Sequence, residues 1–539
     1  MNIIRRYQLS KDPNLTVSNL LDELLRHRGD GATSVGDFGV FLLSELHRDV
    51  CSIDAFLRKS VGLKPGQAVA VYRTNDRNCF HWFLAIVRAG GIAMPLNPML
   101  SLPEVRRILE NSGIEILVTD RAVFERTIHT QESLHVKTWI QVENKLATPV
   151  EEMAGFLQRT IEQEFFPPTS IDPKTTIAVF HTSGTSGFPK GAALSSSALL
   201  GGRSSTVLAS FFLGSKDLAL IALPWSHIMA ISIALNGLVA GIRGCLLDRF
   251  DVERALEAIE RFGITAVVGV PEMFTRIVNS NPDPARLKTV RVWLSASDHL
   301  RVDTRDRLRE FGGLIRLPFE RRIPPVLLNG YGMVELGGLA MMGVDLSFMP
   351  GSGDYCFPVP PFRIRIVDDD EREVKSGRVG ELQIRRGGLR PHYRKDKGDS
   401  QGLLTADGWI RTGDLGIRNR LGLVRLVGRS KDVIKSGGYS IYVRELEEAV
   451  LAHPLVARAA AFGLPHQEKG EIAVAAVELH DGATVSETEL VDWCRQSLAA
   501  YKAPRRIWIL DSGSIPQNHN GKMLRRELRE RFAGEIGQG

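Results

Sequence analysis

Cysteine is scarce in this chain. The five residues Cys51, Cys79, Cys245, Cys356 and Cys494 lie far apart among 539 positions, odd in number and with no Cys-x-x-Cys pair. That spacing excludes a disulfide framework and a zinc-binding finger, and it suits a reducing compartment, the cytoplasm being the simplest. Long uninterrupted apolar runs are also missing. The nearest is Leu218 to Val239, broken by Pro224, Ser226, His227, Ser232 and Asn236. It reads as strand, loop and buried helix, and no transmembrane segment is expected. The opening residues Met1-Asn-Ile-Ile-Arg-Arg-Tyr7 lack the apolar core of a signal peptide. Nor is there a basic block interleaved with aromatics: the net charge of +6 is spread along the chain, so nucleic acid is not an expected partner. The same even spread does not require a membrane surface, although peripheral contact is compatible with it. Internal repeats and low-complexity segments are absent.

What is present is the composition of a soluble globular protein, 43% hydrophobic and 24% charged, long enough for two or more units with their own cores. From about Ser52 to Asp120 the pattern alternates. Gly62-Leu-Lys-Pro-Gly66 turns into the apolar strand Ala68–Tyr72, Trp82 to Ala89 reads as a helix closed by Gly90 and Gly91, and Ile114–Thr119 is the next strand. This is the βαβ rhythm of a parallel sheet covered on both faces. It resumes where Asp251 caps a helix with Val252, Ala255, Leu256, Ile259 and Phe262 on one face, followed by Gly263 and the buried strand Thr265–Val268.

Between these two blocks, the β-branched run Thr175–Val179 leads into His181-Thr-Ser-Gly-Thr-Ser-Gly-Phe-Pro-Lys190-Gly191. Gly184 and Gly187 allow backbone N–H groups to turn toward one point. Thr182, Ser183, Thr185 and Ser186 add hydroxyl donors, and Lys190 adds a mobile positive charge. That combination suits a polyphosphate. A flexible linker has no reason to end in Phe-Pro-Lys-Gly after a buried strand, and Gly191 stands where a Walker loop needs a Ser or Thr.

Further on, Val326–Asn329 reads as a strand entering Gly330-Tyr-Gly-Met-Val-Glu335. Tyr331 offers a flat face for a base, Gly330 and Gly332 allow close approach, and Glu335 offers an oxygen to a hard cation such as Mg2+. The competing reading is a β-turn with a surface Glu. From Phe362 to Arg385 the pattern is that of a hairpin or small barrel. Asp414, between Gly413 and Leu415, presents a carboxylate to which a diol can donate. The charged, glycine-punctuated stretch Val427 to Gly438 marks a change of character, with a domain boundary at Lys431. Beyond it lie a helix from Val443, a strand from Ile472, a helix from Ser486 with a Glu489 capping box, a strand Arg506–Leu510 and a basic helix from Arg525.

Together these segments resemble the adenylate-forming superfamily of acyl-CoA synthetases, firefly luciferases and nonribosomal peptide adenylation domains, over roughly residues 52 to 530. The motifs are Thr182 to Gly191, Leu223-Pro-Trp-Ser-His227, Tyr331 to Glu335, Gly408-Trp-Ile-Arg-Thr-Gly-Asp414, Gly428-Arg429 and Gly521-Lys522. The resemblance implies an α/β fold, with parallel-sheet layers and a small β-barrel-like part in a large domain (1–430), and a small mobile α+β domain (431–539). It also implies ATP, Mg2+ and CoA as cofactors and co-substrates. Thr182 to Lys190 would hold the β- and γ-phosphates, Tyr331 with Gly332 the adenine, Glu335 the magnesium, and Asp414 with Arg429 the ribose. His227 would gate the acyl pocket. Lys522 would bridge the carboxylate and the α-phosphate. Rotation about Lys431 would exchange Lys522 for the face of Gly437 and Gly438, along which pantetheine passes.

The activity so implied is adenylation of a carboxylic acid, with release of pyrophosphate, then acyl transfer to CoA. Two alternatives stand beside it: a fatty acyl-AMP ligase passing the acyl group to a carrier protein, and a nucleotide-binding protein with impaired catalysis. Val334 replaces the family's usual Thr, and Ser295-Ala-Ser-Asp-His-Leu300 replaces Ser-Gly-Gly-Ala-Pro-Leu, with Asp298 and His299 either in a surface turn or touching ligand. Ile228 to Ile231 and Leu336 to Met342 predict an apolar pocket, favouring a fatty or aryl acid over an amino acid. The oligomeric state is left open, a homodimer being one option.

Overall fold

Five consecutive apolar residues, Ala68–Tyr72, are all buried, which is how a strand covered on both faces reads in sequence. In the computed structural model this strand pairs in parallel with Ile92–Pro95 on one side and Ile116–Asp120 on the other. The structure describes residues 12, 14–36, 39–128, 134, 136–142, 166–182, 190–201, 212–316, 322–345, 352–389, 391–394, 402–517 and 523–535. The helix expected from Trp82 begins earlier, spanning Arg77–Arg88, because the Asp76 side chain accepts from the Asn78 N–H and caps it there. The next crossover, Leu102–Ser112, opens on a Ser101–Glu104 capping box and stops at left-handed Gly113.

These strands belong to a seven-stranded sheet. Its order is His392–Tyr393, Lys190–Ser195, Thr176–Thr182, Ile92–Pro95, Ala68–Tyr72, Ile116–Asp120 and Thr138–Val142. A second sheet of nine strands centres on the parallel set Leu218–Ile221, Ala266–Gly269, Val292–Ala296 and Val326–Met333. Asp251 caps the helix Val252–Phe262 and left-handed Gly263 ends it, as the periodicity predicts. The long apolar stretch resolves into the strand Leu218–Ile221 and the helix Ile228–Ala240. Among the described residues no helix is long and apolar enough to cross a membrane. One large hydrophobic cluster, with Phe83, Phe180, Leu220, Phe274 and Trp293, lines the helices of this part. The N-terminal strands Ala32–Gly36 and Gly39–Leu42, not read from the sequence, extend the second sheet beyond Arg243–Leu246.

Each sheet finishes in antiparallel strands, and there the chain turns back at the motifs described above. Thr176–Thr182 pairs with Lys190–Ser195, and Val326–Met333 with Gly338–Asp345. Contacts divide the chain into two units, 1–363 with 384–410, and 364–383 with 411–539. The second carries a four-stranded sheet (Arg363–Val367, Val379–Arg385, Ile410–Arg418, Val424–Arg429, whose few outermost residues fall in the first unit). It also holds an α+β part built on the hairpin Val456–His466 and Gly470–Leu479, with Ile507–Leu510 added in parallel. Lys431 lies within this unit, in the turn Ser430–Asp432.

Candidate active site

The hairpin that carries the glycine-rich loop is fastened by a rung between Thr182 and Lys190. Ser183, Gly184, Thr185, Ser186 and Gly187 lie outside the described residues, as does Lys522. The next residue, Gly191, has a physical reason to be glycine: a Cβ there would stand 2.9 Å from Val179 Cγ1 and 3.2 Å from His181 Nε2. The His181 ring is shielded at this strand end. Its Nδ1 is buried without a hydrogen-bond partner, and burial lowers its pKa to about 4, so at neutral pH it is an uncharged wall.

Lys190 meets Tyr393 of the same unit, which in turn reaches Glu335. Its Nζ lies 5.6 Å from the centroid of the Tyr393 ring, and the Tyr393 hydroxyl donates to Glu335 Oε1 at 2.6 Å. Glu335 sits in the short turn Val334–Leu336 that joins the second hairpin, and at 7% exposure it is buried, not the surface carboxylate of the competing reading. Tyr393 escaped the sequence reading. It stands in the polar run Pro391-His-Tyr-Arg394, outside any glycine pattern, and only the antiparallel pairing of His392–Tyr393 with Ala193 and Ala192 brings it here.

The glycines flanking half-buried Tyr331 serve the hairpin itself. A Cβ on Gly332 would stand 2.1 Å from the Gly338 carbonyl oxygen, and one on Gly330 2.7 Å from Leu339 Cδ1. His227 caps the helix Ile228–Ala240. Its Nδ1 accepts from the Met229 N–H at 3.2 Å, which puts the ring proton of the neutral form on Nε2. Ser297, at φ 79°, lies 3.7 Å from Met229 Sδ through its Oγ. Asp298 is exposed and accepts from the His299 N–H at 2.8 Å, the geometry of a surface turn.

The donor set around Glu335 suits magnesium. A single buried carboxylate, with no cluster of three or more His, Cys, Asp or Glu among the described residues, fits a hard cation that takes its other oxygens from water and phosphates. It does not fit a cation that needs a complete protein cage.

In the second unit, Asp414 and Arg429 are cross-strand partners, with Nε 3.4 Å from Oδ1. The Lys431 pKa is lowered, first by burial and then by Arg429. Gly437 and Gly438, at φ 56° and 82°, form the tight turn between Val433–Ser436 and Tyr439–Tyr442, a backbone that only glycine adopts easily at both positions. Gln517 and Met523 are joined by an antiparallel bridge. Three residues past Lys522, Arg525 binds the Glu447 carboxylate at 2.7 and 2.9 Å and lies 3.7 Å from Asp432, next to Lys431.

Parallel sheets ending in hairpins that carry a glycine-rich loop and a buried carboxylate, with a separate α+β unit, define the class of adenylate-forming enzymes. Residues 41–394 match the model of AMP-binding enzymes and residues 445–522 that of the AMP-binding enzyme C-terminal domain; the chain belongs to the AMP-binding enzyme family. A long-chain-fatty-acid–CoA ligase of Escherichia coli O157:H7 is 26% identical over 562 aligned positions, covering 98% of this chain and 97% of the relative. The fatty acid–[acyl-carrier-protein] ligase ScoC of Streptomyces coeruleorubidus is 29% identical over 504, covering 91% of each. The crystal structure of ATP-bound MatB from Rhodopseudomonas palustris shares the fold, with a TM-score of 0.82 at 24% identity, covering 97% of this chain and all of that one.

Proposed function

We propose that the protein is an AMP-forming acid–thiol ligase that adenylates a fatty or aryl carboxylic acid and transfers the acyl group to CoA. The observation that carries this reading is the convergence of Lys190, Tyr393 and Glu335 beside the loop fastened at Thr182 and Lys190. In the first step the substrate carboxylate oxygen attacks the α-phosphorus of ATP, the bond to the β-phosphate oxygen breaks, and pyrophosphate leaves. Both reactants are anions, so positive charge must offset their repulsion. Lys190 and the loop from Thr182 to Gly187 supply charge and donors to the β- and γ-phosphates, and Lys522 supplies them between the carboxylate and the α-phosphate. Glu335 would hold Mg2+, which would supply neutralisation of the phosphate charge. Tyr331 and Gly332 hold the base, and Asp414 with Arg429 holds the ribose. His227 would gate the acyl pocket beside Met229, whose flexible side chain suits an apolar chain.

In the second step the CoA sulfur adds to the acyl carbonyl and AMP departs, with pantetheine lying along Gly437 and Gly438 and the domain from Lys431 rotating to expose that face. A reducing, cytoplasmic setting belongs to this reading, because the five cysteines are buried thiols with none bridged. Likeness to ScoC supports a second reading, in which a carrier protein's phosphopantetheine replaces CoA. The test is pyrophosphate release across a panel of fatty, aryl and amino acids, with CoA or a carrier protein as acceptor. Acid-dependent release with acyl-CoA formation upholds the proposal. Acyl transfer to the carrier alone transfers it to the second reading, and nucleotide binding without release sinks both.

A further inference from the structure

We infer that Tyr393 is a positioning residue serving both charged groups of the adenylation site, orienting the Glu335 carboxylate through its hydroxyl and the Lys190 ammonium through its ring. The inference rests on the reading of Glu335 as the magnesium carboxylate given above. A carboxylate that binds a hard cation must present a fixed oxygen. A buried Glu side chain has a soft terminal torsion unless something holds it. Tyr393 holds it, donating at 2.6 Å to Oε1, the short distance of a charge-assisted bond. The face of the same ring lies 5.6 Å from Lys190 Nζ, within cation–π range.

The backbone around Tyr393 is fixed with equal care. His392 pairs with Ala193, Tyr393 with Ala192, and the Arg394 N–H donates to the Gly191 carbonyl at 2.8 Å. Three successive residues are thus held against the strand that begins at Lys190, so the ring keeps its place beside the lysine. Tyr393 does not touch the reacting atoms in this arrangement and acts through its two neighbours. If its hydroxyl only satisfied a buried carboxylate, its loss would lower stability and leave metal affinity alone.

The experiment compares Tyr393→Phe, Tyr393→Leu, Glu335→Gln and the double variant Tyr393→Phe/Glu335→Gln. A β,γ-imido ATP analogue is titrated calorimetrically with EDTA present and at rising Mg2+, and melting temperatures are recorded alongside. Tyr393→Phe should raise the Mg2+ concentration for half-saturation about tenfold, the loss of one hydrogen bond to a charged group, and leave metal-free nucleotide affinity within about twofold. Tyr393→Leu, which also removes the ring, should further weaken metal-free binding by about threefold or more. The double variant should bind Mg2+ no worse than Glu335→Gln alone, since the hydroxyl acts through that carboxylate. Unchanged Mg2+ dependence in Tyr393→Phe, with a large loss in Glu335→Gln, overturns the role of Tyr393 and leaves the metal reading intact. Unchanged dependence in Glu335→Gln overturns both.

Discussion

Asp414 and Arg429 face one another across an antiparallel rung of the four-stranded sheet, guanidinium Nε 3.4 Å from carboxylate Oδ1. With Arg429 38% exposed, such a pair contributes at most about 1 kcal/mol to stability. Under the proposed function the pair would hold the ribose. Asp414→Ala and Arg429→Ala should each weaken ATP binding by roughly 10- to 100-fold, the loss of a charged hydrogen bond, while chemical unfolding shifts by less than about 1 kcal/mol. Equal losses of affinity and stability would mark the pair as structural.

The two half-reactions should separate by mutation. Lys522→Ala is expected to abolish pyrophosphate release while CoA still consumes a synthetic acyl-adenylate. Gly438→Ala, which forces a side chain to φ 82° at a cost of about 1–2 kcal/mol, should spare release and slow CoA consumption. Loss of both steps in either variant contradicts the assignment.

Val334 is half-buried and packs against the main core, in the turn that holds Glu335. Val334→Thr supplies the hydroxyl usual in the family, which under the proposed function would lie near the α-phosphate. It should raise the adenylation rate about tenfold in pre-steady-state assays and cost about 1 kcal/mol in stability for burying that hydroxyl. A rate that does not rise means the hydroxyl has no partner there.

Gly332→Ala should be among the most damaging small changes in the chain. Its Cβ would stand 2.1 Å from a backbone oxygen, so the hairpin of Tyr331 and Glu335 must open, costing about 3 kcal/mol or more. Denaturant unfolding would show the loss, and base and metal binding would fall together.

Acid should destabilise the protein early. His81 is buried, 3.6 Å from Asp49, and burial with Arg77 and Arg73 lowers its pKa to about 3; burial alone lowers His181 to about 4. Both folded values lie below the ordinary histidine value near 6.5, so the unfolded chain takes up protons first. Their contribution is complete above pH 6.5 and falls as the pH drops to about 4 for His181 and about 3 for His81, each histidine adding at most about 1.4 kcal/mol per pH unit. Asp49, raised by burial, offsets part of this at the acid end. His81→Gln should flatten the dependence of melting temperature on pH between 6.5 and 5, and an unchanged slope would exclude His81 as its source.

Much of the scaffold was legible because its elements carry local signals. Asp251 with Gly263 bounds one helix, and the Ser486–Glu489 box opens another where it was read. The motif residues Lys190, Tyr331 and Glu335 were legible by type, and the fold places them at strand ends and hairpin turns. Tyr393 was not, because its meaning comes from pairing across some two hundred residues, a relation no local pattern encodes. Nor was the packing role of Gly330 and Gly332, whose missing side chains make room for the chain itself.

The strand His392–Tyr393 is only two residues long and lies outermost in its sheet. Short edge strands deny neighbouring molecules a template for pairing. The peptide that steadies the site therefore also guards the protein's solubility, and loosening it exposes the length of Lys190–Ser195. A change that breaks this backbone pairing, unlike loss of the Tyr393 hydroxyl alone, would show as aggregation as well as a lost reaction.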